Sequence, residues 1–165
     1  MLACSERRSI APPSMTKRLD YNQIAPNGVK AFGGLYGYVT QSGLSAELVE
    51  LVCLRVSQIN NCAYCLDVHT RDLIKKGLKI EKLALVQAWA EAGNLFSERE
   101  RSALAWAETV TRVSETGVPD EAFQAARTRF EEKELIDLTI AISLMNASNR
   151  MAISFRNTPR AALEN

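Results

Sequence analysis

The sequence predicts an all-α protein, a helical bundle built by one domain. Apolar residues recur every three or four positions through most of the chain, helix-capping residues stand where those periods begin, and no segment carries a strand signal. With 165 residues, 47% of them hydrophobic and 24% charged, the chain is long enough to bury a core without help from disulfides.

Residues 1–16 contain Pro12-Pro13 and no hydrophobic period, so they read as a disordered tail in which Met15 is an alternative start; residues 17–165 read as the folded domain, with a core at about 20–157. From Tyr21 to Gln41 the spacing is helical, weakened by Gly33, Gly34 and Gly37 and irregular at Pro26-Asn27-Gly28. Ser45 caps a helix to Ile59, with Leu48, Leu51, Val52 and Val56 on one face and Glu50, Cys53 and Ser57 on a neighbouring stripe. Asn60-Asn61 ends it, and the next helix runs from Cys62 to a terminator at Gly77. Glu81 to Ala92 is expected as a short apolar helix. Ser97 and Glu100 form a capping box that opens a helix towards Glu115, and Pro119 starts another. The last helix, Glu134 to about Arg156, is apolar almost all round between Leu135 and Met145, which marks either a central core helix or an oligomer interface. Trp89 and Trp106 are expected in the core, and Arg71, Lys75, Lys76, Lys79 and Lys82 on a solvated face.

Twenty basic and nineteen acidic residues give a net charge of +1, which offers no electrostatic case for nucleic acid or an anionic membrane. No stretch approaches the ~18 consecutive apolar residues of a membrane span, so the expected setting is the cytoplasm and the expected partners are small molecules or other proteins. Four cysteines are no disulfide scaffold in a chain of this kind, so a close pair points to redox or metal chemistry. That pair is Cys62 and Cys65.

Cysteines three apart face each other across one helical turn and can close a disulfide when the first lies at the helix end. His69 follows Cys65 by one further turn on the same face and is the single histidine of the chain, placed to accept a thiol proton. A helix N-terminus acting on Cys62 contributes only ~0.3–1 kcal/mol, whereas a paired imidazolium lowers a thiol pKa by several units. Cys65 is therefore the expected nucleophile and Cys62 the resolving thiol. The histidine needs a carboxylate behind it. Glu50 and Asp67 are the candidates, and spacing favours Glu50, because Asp67 leaves the helix on a different side. Cys53 reads as a core residue.

Glu50, eleven intervening residues, Cys62-Ala63-Tyr64-Cys65, three more and His69 together resemble the signature of the AhpD-like alkylhydroperoxidases of the carboxymuconolactone decarboxylase superfamily. The run RVSQINNCAYCLDVHTRDLIKKG and the later NRMAISFR resemble that family too, so the likeness spans roughly residues 20–157. It implies an AhpD-like helical domain, trimers or hexamers of the chain, and a relay in which Glu50, usually through water, and His69 activate Cys65. Cys62 would protonate the departing product and close the disulfide. It also implies a hydroperoxide substrate, a thiol reductant or a lipoyl- or thioredoxin-like protein as electron donor, and no metal or dissociable cofactor. One position departs: the best-studied branch has a second histidine immediately before the distal cysteine, where this chain has Tyr64. Tyr64 is a poorer proton acceptor at neutral pH and is a candidate substrate contact instead. Two further readings stand beside the peroxidase: a cofactor-free lactone decarboxylase of the same superfamily, and a non-enzymatic protein that binds zinc through Cys62, Cys65 and His69 or is an oligomeric scaffold built on the apolar last helix.

Overall fold

The computed structural model describes residues 16–163; the expected tail lies outside the described residues except for Thr16, which is not helical. The described residues form helices and turns with no strand. The helices are α1 (Tyr21–Ile24), α2 (Pro26–Thr40), α3 (Ala46–Ile59), α4 (Ala63–Lys75), α5 (Ile80–Ala84), α6 (Glu98–Thr111), α7 (Val113–Thr116), α8 (Asp120–Arg127) and α9 (Glu132–Ser154).

α3 is the central element. The Ser45 hydroxyl accepts the Leu48 N–H at 3.2 Å and sets its start as the sequence predicts. It packs against α4, α6 and α9 at once. Val52 and Val56 face a core shared with Trp106, Leu138 and Ile142, whereas Leu51 and Leu54 face a second core with Leu73, Val86, Phe96 and Leu104. Because both sides are covered, the stripe of Glu50, Cys53 and Ser57 is buried as well.

The last helix is a wall of the core, not its centre. Leu138 and Ile142 of α9 are fully buried, yet Ile136 stays 60% exposed. Its remaining apolar face lines an open groove of about 880 Å³ with Phe32 and Leu35 of α2 and Phe123 of α8. Among α2 residues only Val39 is buried, so the apolar excess read in α9 continues onto the surface.

Three predicted helices differ in detail. The Tyr21–Gln41 period is divided at Ala25, where Pro26 begins α2: proline fits a first helical position but denies a backbone donor further in. The apolar stretch after Lys79 is α5 followed by tight 3-10 turns at Val86–Glu91 and Gly93–Leu95, with Ala88 outside helical geometry. The helix opened by the Ser97–Glu100 capping box ends at Thr111, short of Glu115. Trp106 is buried and donates to the Thr139 hydroxyl at 2.9 Å, while Trp89 packs half-buried on the second core and donates to Glu108 at 2.7 Å. No helix among the described residues is long and apolar enough to cross a membrane.

Candidate active site

The pair Cys62 and Cys65 sits at the join of α3 and α4. Asn60 ends α3, Asn61 takes the left-handed conformation at φ 54°, and the next residue, Cys62, is the N-cap of α4. Asparagine tolerates that backbone better than other non-glycine residues. The turn closes as a helix C-cap: the Asn61 N–H donates to the Gln58 carbonyl at 3.2 Å and the Cys62 N–H to the Ser57 carbonyl at 3.0 Å. Cys62 and Cys65 form a disulfide, with their Cα atoms 5.4 Å apart, and the Cys65 N–H points at the Cys62 sulfur at 3.4 Å. A sulfur at the N-cap meets the positive end of the helix.

One turn further along α4, His69 is buried beside Glu50 of α3. Its Nδ1–H donates to Glu50 Oε2 at 2.7 Å, and both side chains are 8% exposed. With the carboxylate on Nδ1, the neutral ring keeps Nε2 as its acceptor. Glu50 Oε1 lies 3.8 Å from Lys76 Nζ at the end of α4. Lys76 is therefore not simply solvated, and neither is Lys82, which pairs with Glu100 at 2.5 Å.

The two carboxylate candidates have separated. Asp67 accepts Arg71 Nε at 3.0 Å and, with its other oxygen, the backbone N–H groups of Arg160 and Ala161 at 2.9 and 3.4 Å. The Arg71 guanidinium, with those backbone donors, holds its carboxyl below the ordinary value. Asp67 thus ties the C-terminal 3-10 turn Arg160–Ala162 to α4 and does not serve His69.

Cys65 borders a cleft of about 300 Å³ whose walls include Tyr21, Val29, Phe32, Tyr64 and Met151. None of the described residues lining it carries a charge. Cys62, 1% exposed, is not among them, so of the two cysteines the distal one lines the cleft. The larger groove between α2 and α9 has no cysteine or histidine in its lining and lacks any group for this chemistry. Cys53 lies in the core, where burial and the Glu50 charge raise its thiol pKa far above the ordinary value. It stays a protonated core residue. Among the described residues no group of three or more His, Cys, Asp or Glu is arranged to hold a metal ion.

The family model for the carboxymuconolactone decarboxylase family matches residues 26–109, which run from the start of α2 through α3, the cysteine pair and His69 into α6. The chain belongs to this family. Its similarity to the uncharacterized protein YdfG of Bacillus subtilis is 35% identity over 143 residues, covering 87% of this chain and 97% of that one. A crystal structure from Agrobacterium tumefaciens, of a protein of unknown function described as a candidate antioxidant defence protein AhpD, superposes with a TM-score of 0.84 at 37% identity, covering 87% of this chain and 98% of that one. The AhpD core of a peroxidase-related protein from Ralstonia eutropha shares the fold, with a TM-score of 0.75 at 23% identity and coverage of 86% and 75%. The fold is therefore AhpD-like, as the motif implied.

Sequence reasoning did not find the cleft walls from α1, α2 and α9, because residues so far apart in the chain carry no shared local pattern. It also missed the side chains that fasten the Asn60-Asn61 turn to α9. One signal for these was available: Asn146 and Asn149 stand three apart, on one helix face, directly after the apolar run Leu135–Met145.

Proposed function

We propose that this protein is a thiol-dependent peroxidase that reduces organic hydroperoxides through a Cys62–Cys65 redox couple. The observation that carries the reading is the placement of a closed cysteine pair with its distal member on an apolar cleft, one helical turn from a buried histidine–glutamate pair. In this mechanism His69 Nε2 takes the Cys65 thiol proton and the Glu50 carboxylate steadies the resulting imidazolium. The thiolate attacks one peroxide oxygen and the O–O bond breaks. The alcohol leaves with the proton held by His69, and Cys65 becomes a sulfenic acid. Cys62 then attacks the Cys65 sulfur, the S–O bond breaks, and water departs with the Cys62 proton.

The uncharged walls favour a neutral, apolar hydroperoxide over an anionic one, because a buried carboxylate would find no cation among them. Tyr64, 37% exposed at the edge of the cleft, is the proposed substrate contact. The same feature argues against a carboxylated lactone as substrate. A thiol reductant or a lipoyl- or thioredoxin-like protein would reopen the disulfide, which calls for a reducing compartment, and the cytoplasm is the proposed one. The exposed apolar faces of α2 and α9 support a homo-oligomer, for which a trimer or hexamer is proposed.

The test is direct. Reduced protein mixed with one equivalent of cumene hydroperoxide should yield cumyl alcohol and a Cys62–Cys65 disulfide, mapped by mass spectrometry. Loss of peroxide at an unchanged rate in Cys65→Ser contradicts the proposal.

A further inference from the structure

α9 carries two amides just past its apolar run, and the side-chain oxygens of both accept from Asn60. Asn149 is fully buried. An amide without partners is costly there, yet no buried polar side-chain atom among the described residues lacks a hydrogen bond. Asn149 Oδ1 accepts from Asn60 Nδ2 at 2.9 Å, and Asn149 Nδ2 donates to the Ser57 hydroxyl at 3.1 Å, with the Met145 sulfur also 3.3 Å away. Asn60 Nδ2 donates as well to Asn146 Oδ1 at 3.0 Å, and Asn146 Nδ2 donates to the Thr111 hydroxyl at 3.2 Å.

Ser57 and Asn60 are the residues that build the turn under Cys62. The Ser57 carbonyl receives the Cys62 N–H, Asn60 is the C-cap of α3, and Asn61 between them and the cysteine holds its left-handed backbone. Cys65 lies inside α4, whereas Cys62 is its N-cap: the Cys62 carbonyl accepts the Leu66 N–H at 2.9 Å, but its own N–H is held by the turn. The distal cysteine thus has its own helix on both sides, whereas the proximal one, at the helix end, depends in addition on a turn bound by amides to α9.

We infer that Asn149 is the positioning residue for the resolving thiol, holding the α3–α4 turn so that Cys62 stays within bonding reach of the Cys65 sulfur. The inference rests on the peroxidase reading for its kinetic form. The step it governs is disulfide closure: the Cys62 sulfur bonds to the Cys65 sulfur, the Cys65 S–O bond breaks, and the oxygen leaves as water with the Cys62 proton. The earlier attack of Cys65 on peroxide does not use the turn. Removing the Asn149 amide therefore slows the second step and spares the first.

Asn149→Leu keeps the branched shape at Cγ, is somewhat larger, and removes both hydrogen bonds. Leu138→Ala, fully buried on the same helix about three turns away, is the control for general loss of stability. Reduced full-length proteins receive cumene hydroperoxide and are quenched over time with a sulfenic-acid trap, and Cys65 is followed by peptide mapping. In Asn149→Leu the first oxidation should stay within about twofold of wild type while disulfide closure slows about 10-fold or more, so that Cys65 sulfenic acid accumulates. Leu138→Ala should partition as wild type does. Asn60→Ala, a half-buried position that removes the shared donor, should move in the same direction if Asn149→Leu folds poorly.

A readout without peroxide separates this inference from the reading it rests on. In glutathione redox buffers, Asn149→Leu or Asn60→Ala should shift the Cys62–Cys65 equilibrium towards the dithiol by about fivefold or more, with Leu138→Ala unmoved. An equilibrium equal to wild type in both asparagine variants, or an equal shift in Leu138→Ala, overturns the assignment. Failure of every protein to consume peroxide, with the equilibrium shift intact, overturns the peroxidase reading and leaves the positioning role standing.

Discussion

Two carboxylates are buried on the inner helices, and their surroundings differ. Asp137 of α9, 1% exposed, accepts the Tyr38 hydroxyl at 2.7 Å on one oxygen and Lys133 Nζ at 2.6 Å on the other. Burial pushes its carboxyl up, and the hydrogen bonds from Lys133 and Tyr38 outweigh that and leave it below the ordinary value. Tyr38 responds in the opposite direction, its phenol raised first by that hydrogen bond. Glu50 of α3, 6% exposed, has one close donor, His69 at 2.7 Å, and a lysine at the longer distance of 3.8 Å. Asp137 is saturated by donors that keep their protons at neutral pH and serves to hold α2 on α9. The close partner of Glu50 is an imidazole, whose second ring nitrogen can accept a proton while the first donates to the carboxylate. Burial alone does not mark a reactive carboxylate; the proton chemistry of its partner does.

The comparison breaks most sharply at the histidine. His69→Gln should slow alkylation of Cys65 in the reduced protein by about 10²–10⁴-fold at neutral pH, the usual worth of a positioned base, with the melting temperature changed far less. Glu50→Gln comes next: it keeps the shape but leaves the ring without a carboxylate, and alkylation should fall by at least about 10-fold. Asp137→Asn should do the reverse. Its Cys65 rate should match wild type, while chemical denaturation should show a loss of about 1–3 kcal/mol from the weakened charged hydrogen bonds.

How far the contrast was legible in the sequence depended on distance along the chain. Ser45, three residues ahead of Leu48 where the apolar stripe begins, marks the start of α3, and the spacing from Cys62 to His69 places one cluster on one helix because helical geometry is local. Glu50 was favoured over Asp67 for the histidine, and the structure pairs Glu50 with it. What was not legible is tertiary: Asp67 caps a turn at Arg160, Tyr38 crosses to Asp137, and Asn149 reaches Ser57, each between elements whose pairing no local period encodes. The break after α5 escaped for another reason. Its residues are apolar at helical spacing, yet the segment follows the second core in tight turns.

Acid should sharpen the comparison further. The Asp137 carboxyl lies below its ordinary value when folded, so its contribution is fully present above the ordinary carboxylate range and is lost as pH falls through the lowered value. Wild type and Asp137→Asn should therefore differ in stability at neutral pH and converge in strong acid; a constant gap across that range contradicts the assignment. The smallest effect is expected at Lys76. It is one-third exposed and 3.8 Å from Glu50, so Lys76→Met should change stability by under about 1 kcal/mol and leave the Cys65 rate close to wild type.

If the Glu50–His69 pair serves the Cys65 thiol, removing the imidazole must change how that thiol ionises. The direct measurement is the pH profile of Cys65 alkylation in fully reduced protein, read at the peptide that carries Cys65, for wild type and His69→Gln side by side. A wild-type profile whose midpoint lies below the ~8.5 of a free thiol, moving back towards that value in the variant, is the predicted result. Superimposable profiles would contradict it.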